Sequence, residues 1–103
     1  MTINYKVTIV VNTPYNVSNN DEVIMIDIPG PASVVLPASV SDGEHGEKRS
    51  YYIKDYSGNA KTNPITITSA GGKTIDGHPF AMLGRGYSHI QVVYDGTNWM
   101  TIA

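Results

Sequence analysis

The chain has 103 residues, no cysteine, and a formal charge of −2 from seven Lys+Arg against nine Asp+Glu. That length supports one domain, spanning residues 1–103, able to bury roughly 65% of the surface its unfolded chain exposes. The balance of charge excludes counterion-displacing nucleic-acid binding, which needs a basic stripe, and the lack of cysteine excludes a disulfide framework and thiolate metal ligands.

No apolar run approaches the ~20 residues that cross a bilayer. The N-terminus carries neither an apolar h-region nor a small-residue cleavage site. A soluble chain used without classical secretion is expected, with no membrane partner.

Residues 3–11 alternate, with Tyr5, Val7, Ile9 and Val11 on one face and Lys6 and Thr8 on the other, the period of a strand. Asn12-Thr13-Pro14 ends that strand, because proline donates nothing to a ladder. Ser18-Asn19-Asn20-Asp21 reads as a turn. A second strand covers residues 23–28. Ile24, Ile26 and Ile28 share one face, and Val23 and Met25 share the other with Asp27. Apolar residues on both faces predict cover on both sides, by a second sheet or by a neighbouring subunit.

Pro29-Gly30-Pro31 is a rigid corner, and residues 33–37 form a short strand closed by Pro37. Residues 38–50 have the composition of an exposed loop. Residues 51–55 return to strand. Tyr56-Ser57-Gly58-Asn59 turns, and residues 65–68 alternate Ile65 and Ile67 against Thr66 and Thr68. A brief strand at 73–75 precedes the Asp76-Gly77 turn. Residues 78–87 read as a loop anchored by Phe80-Ala81-Met82-Leu83. Residues 88–94 alternate again, with Ile90, Val92 and Tyr94 on one face and His89 opposite. Asp95-Gly96-Thr97-Asn98 is a hairpin signal, and Trp99 opens the last strand.

No segment sustains a helical period. Strand-like runs recur roughly every eight to twelve residues, broken by ten glycines and six prolines. The fold class is therefore all-β, a sandwich or barrel of about eight strands. Gly58, Gly77 and Gly96 are read as structural turn glycines and Trp99 as a structural core residue.

The residues that carry chemistry form no catalytic pattern. Asp42-Gly43-Glu44-His45-Gly46-Glu47 gathers carboxylates and a histidine, without the ligand offsets of a calcium loop or the ligand set of a zinc site. It reads as a solvated loop. Asp76, Ser88 and His89 lack the nucleophile elbow and oxyanion-hole motif of a hydrolytic triad, so His89 is taken as a surface or subunit-contact residue. Asn16-Val17-Ser18 matches a glycosylation acceptor by coincidence in a chain without a signal sequence. The seven tyrosines are assigned to core and interface packing rather than to a sugar-stacking platform. No metal, cofactor or catalytic residue is expected.

Tyr52-Ile53-Lys54-Asp55-Tyr56-Ser57-Gly58-Asn59-Ala60, Asn63-Pro64-Ile65-Thr66-Ile67, Thr74-Ile75-Asp76-Gly77 and Val93-Tyr94-Asp95-Gly96-Thr97-Asn98-Trp99 resemble a small β-rich module of tailed bacteriophages. That module is found in head-fibre and capsid decoration proteins and at the ends of tail fibres. The resemblance is close over the C-terminal half and looser before it. It implies a jelly-roll-like antiparallel sandwich, usually a homotrimer, serving as a virion structural part without catalytic residues. The chain reads as a whole small protein, which favours capsid decoration over a fibre tip.

The resulting expectation is a homotrimer on the capsid surface, assembled in the host cytoplasm, partnering the major capsid protein. Its subunit interface would draw on Tyr5, Val7, Val23 and Met25. The rival expectation is a receptor- or glycan-binding module that uses exposed tyrosines and the 38–50 loop. An enzyme is the weakest of the three.

Overall fold

The computed structural model describes residues 5–40 and 50–102. Among them, strands β1 (Val7–Val10), β3 (Val23–Ile26), β5 (Ser50–Asp55), β8 (His89–Tyr94) and β9 (Trp99–Ile102) form a five-stranded sheet in the order β1-β3-β5-β8-β9. Strands β2 (Tyr15–Asn16), β4 (Ala32–Leu36), β6 (Ile65–Ser69) and β7 (Ala81–Leu83) form a four-stranded sheet in the order β2-β4-β6-β7. A single 3₁₀ turn, Ala70–Gly72, follows β6. The fold is all-β, with two mixed sheets compatible with a sandwich.

The expected antiparallel pairing holds only toward the C-terminus, at β5·β8, β6·β7 and β8·β9. The ladders β1·β3, β3·β5, β2·β4 and β4·β6 are parallel. From β1 to β6 the chain changes sheet at every step. Neighbours within a sheet are therefore two strands apart, and the strand between them acts as the crossover that parallel pairing needs. The chain winds as in a short β-solenoid, with the last strands closing one end by antiparallel pairing. Jelly-roll connectivity, which links antiparallel neighbours through Greek keys, is not what these ladders trace.

Several boundaries differ from the sequence reading. The first strand shortens to β1, and β2 is an additional short strand after Pro14. The expected strand at 73–75 reduces to bridges made by Ile75 to His78 and Trp99. The expected loop at 78–87 contains β7. Its apolar anchor is long enough to pair with β6, and tertiary pairing outweighs the nearby Pro79 and Gly84.

The core lies between the sheets. Ile24, Ile26, Tyr51, Ile53, Val92, Tyr94 and Trp99 from one sheet join Val34, Leu36, Ile65, Ile67 and Leu83 from the other in one buried cluster. Each buried aliphatic side chain of this kind contributes about 1.5–3 kcal/mol. Trp99 is fully buried. Its ring centroid lies 5.3 Å from that of Tyr94 and 5.8 Å from that of Tyr51, and its indole N–H donates to the Pro37 carbonyl at 3.2 Å.

Candidate interaction surface

Period two sends alternate residues of the five-stranded sheet outward, and register aligns them into rows. One row runs Val7, Val23, Tyr52, Gln91, Ile102, and the next runs Ile9, Met25, Lys54, His89. A shorter row pairs Ser50, Val93 and Met100. This outer face is mostly apolar. Tyr5, Val7, Ile9 and Val11 are 49–61% exposed, and Met100 and Ile102 are about as open. A contiguous exposed apolar surface of this kind marks an interaction site more often than a free surface.

Within the face, Tyr5 packs edge-on against Tyr52, with centroids 6.1 Å apart and planes at 73°. Tyr5, Val23, Met25, Tyr52, Lys54 and His89 line a shallow groove of about 260 Å³. The Lys54 ammonium donates to the Tyr87 carbonyl, which fixes the lysine head at one end of the groove. Both ionisable side chains of the lining other than tyrosine are basic. What this arrangement offers chemically is apolar association with a basic rim.

The four expected interface residues thus lie on one surface. Val23 and Met25 are half-buried, while Tyr5 and Val7 are exposed. Ile9, Val11, Tyr52 and Lys54 belong to the same surface and are not singled out by the sequence. Alternation sets Ile9 and Val11 beside Val7, but only the parallel ladder β1·β3·β5 brings Tyr52 next to Val23 and Lys54 next to Met25.

The other candidates are placed as follows. Asp42 to Glu47, with His45, lie outside the described residues. Ser88 donates its hydroxyl to the Arg85 carbonyl at 2.6 Å, and His89 faces outward beside Lys54. The Asp76 carboxylate accepts hydrogen bonds from the Thr101 backbone at 2.9 Å and from its hydroxyl. Those hydrogen bonds hold the Asp76 carboxyl below its usual value. No group of three or more metal-ligating side chains occurs among the described residues, and among them no helix is long and apolar enough to cross a membrane.

The turn glycines divide by geometry. Asp76 and Gly77 both have positive φ, 53° and 81°, and Ile75 and His78 exchange both backbone hydrogen bonds, the two-residue hairpin for which Asp-Gly is suited. The Asp95–Asn98 loop is longer. There only Gly96 has positive φ, at 103°, and the Asp95 carboxylate accepts from the Thr97 and Asn98 N–H groups at 2.8 Å. Gly58 has φ 82°, and a Cβ placed on it would meet the Tyr87 ring at 2.5 Å.

Two buried carboxylates are not legible as such in the sequence. The Asp21 carboxylate, 2% exposed, accepts from the Thr8 hydroxyl (3.0 Å), the Tyr15 phenol (2.8 Å) and the Ser18 N–H (2.9 Å). It ties β1 and β2 to the turn before β3. The Asp55 carboxylate, 1% exposed, accepts from the N–H groups of Gly58, Ala60 and Tyr87. Burial pushes both carboxyls up, but the donated hydrogen bonds outweigh it and hold each below the usual carboxylate value. Burial and the bond to Asp21 push the Tyr15 phenol up to about 12. Both carboxylates serve as structural acceptors for turns: Asp55 stands before the turn Tyr56-Ser57-Gly58-Asn59, and Asp21 closes the turn Ser18-Asn19-Asn20-Asp21.

The sequence matches no protein-family model and no curated protein.

Proposed function

We propose that this chain is a virion structural module of the phage decoration type. It forms a homotrimer that buries the outer face of the five-stranded sheet around the threefold axis, and it cements neighbouring copies of the major capsid protein on the head exterior. The observation that carries this reading is the apolar outer face of β1, β3 and β5. All-parallel sheets are covered on both faces; in this mixed sheet the parallel strands β1 and β3 leave Val7 and Ile9 exposed and Val23 and Met25 half-buried on the outer face. The resemblance of the turn and strand signatures to phage decoration and head-fibre modules supplies the class of particle.

The mechanism is mass action. A ligand that binds only the assembled lattice stabilises it, and three linked contacts raise the avidity of a trimer above that of one subunit. The protein would act on the capsid surface after assembly in the host cytoplasm. The test is to mix the purified chain with intact heads of the virus that encodes it, then measure co-sedimentation and head melting. Saturable binding with a raised melting temperature supports the reading, and free protein with unchanged heads sinks it.

A second reading rests on the Tyr5–Tyr52 pair with Lys54 and His89 at the groove rim, which suits an anionic sugar at a receptor. Glycan-array binding that disappears in Tyr52→Ala, without head binding, favours it.

A further inference from the structure

We propose a second self-contact. β1 of one copy pairs antiparallel with β1 of another, centred on Ile9, and the two five-stranded sheets become one continuous sheet. This goes beyond the threefold reading and does not depend on it.

The edges of the two sheets end differently. Proteins blunt exposed edges by shortening them, placing proline at them or covering them. The β9 edge is covered: Trp99 donates to the Thr74 carbonyl, Asp76 donates to the Trp99 carbonyl, and Thr101 donates to the Asp76 carboxylate. In the other sheet, β2 has two residues and follows Pro14, and β7 has three residues between Pro79 and Gly84. Among the described residues, β1 has none of these guards. Neither β1 (Val7–Val10) nor Val11 after it holds a proline, glycine or charge.

Backbone direction then fixes the register. The carbonyls of Lys6 and Val10 accept from Val23 and Asp27 at 3.0 and 2.8 Å, so the even-numbered residues face β3. In a parallel ladder the odd-numbered residues direct N–H and C=O the other way. Those residues are Val7, Ile9 and Val11. An antiparallel partner centred on Ile9 sets Ile9 against Ile9 and Val7 against Val11, all of them hydrogen-bonded pairs. Their side chains share the outer face, so the same register makes a row of β-branched cross-strand contacts. Lys6 falls opposite Asn12, which avoids a like-charge pair.

Symmetry selects this occupant. A twofold contact needs only one self-complementary patch, whereas a head-to-tail contact needs a second, different one. Among the described residues no other edge of comparable length is open. Twofold pairing alone gives a dimer, and with a threefold contact it gives a hexamer.

The experiment is light scattering coupled to size exclusion, with residue-resolved amide exchange by NMR on the full chain. The expected result is an even number of chains, with the Val7, Ile9 and Val11 amides protected alongside those of Thr8 and Val10. Ile9→Lys sets two lysines against each other at the twofold. It should return Val7 and Val11 to fast exchange while Thr8 and Val10 stay protected, and, because Ile9 also lies on the outer face, the fall in mass is read on Val11→Pro, which adds no charge to that face. Val11→Pro, which deletes an edge-facing N–H and no bond to β3, should weaken the same pairing. A trimer overturns edge pairing and leaves the threefold reading intact. A monomer with fast exchange at all three positions overturns both. A dimer with those amides still fast overturns edge pairing by placing the interface elsewhere.

Discussion

Asp55 and Tyr87 lie 32 positions apart, yet the Tyr87 N–H donates to the Asp55 carboxylate at 3.0 Å. The same carboxylate holds the N–H groups of Gly58 and Ala60, and the neighbouring Lys54 reaches the Tyr87 carbonyl. One buried side chain thereby fixes the turn after β5 to the loop that enters β8. Asp55→Ala removes the shared acceptor. The expected cost is about 1–3 kcal/mol for each N–H left buried and unpaired, read as a lower urea midpoint.

The two buried carboxylates set an acid limit. Their folded values lie below the usual 3.8, so the stability they contribute is fully present above that value. It is lost as pH falls through the depressed folded values. Tyr15 has the opposite sign. With its phenol raised from 10.0 to about 12, its contribution is present below 10 and lost as pH rises toward 12. Thermal melting against pH should show a plateau with both limbs. Asp21→Asn should shrink the acid limb, and Tyr15→Phe should remove the part of the alkaline limb that arises from this phenol. Unchanged limbs would show that these groups do not control the titration.

Gly58 carries two constraints that a double-mutant cycle separates. Its φ of 82° disfavours any L side chain, and a Cβ would strike the Tyr87 ring. Gly58→Ala should destabilise by more than the ~1–2 kcal/mol that the backbone conformation alone costs. In a Tyr87→Ala background the excess should vanish, leaving only that backbone cost. Equal costs in both backgrounds would mean the ring moves aside freely.

Trp99 anchors the aromatic cluster with Tyr51 and Tyr94. Trp99→Ala should cost about 3–5 kcal/mol and lower the melting temperature. A variant that kept its melting temperature and failed only in binding would contradict the core assignment.

Strands, faces and most turns are legible in the sequence because alternation and Gly or Asp punctuation are local. Ile24 and Ile26 face inward as the alternation implies, and the Asp76-Gly77 turn forms where Asp-Gly stands. Strand direction is not legible, since a two-residue period is identical in parallel and antiparallel ladders. That hides the neighbours Met25 and Lys54 and the row from Val7 to Ile102. Burial of Asp21 and Asp55 is hidden for a related reason: their donors Thr8 and Tyr87 come from segments distant in sequence.

The central claim is that the outer face of the five-stranded sheet is a threefold interface between copies. It is tested most directly by light scattering coupled to size exclusion on the wild type and Met25→Asp. Met25 stands between Ile9 and Lys54 in its row, so an aspartate there has Lys54 to pair with in a lone subunit but is costly to bury against a neighbour. The account predicts a wild-type mass equal to a multiple of three chains of 11.2 kDa, and a variant that stays folded but no longer assembles about the threefold axis. A wild type of a single chain, or a threefold assembly untouched by Met25→Asp, would contradict it.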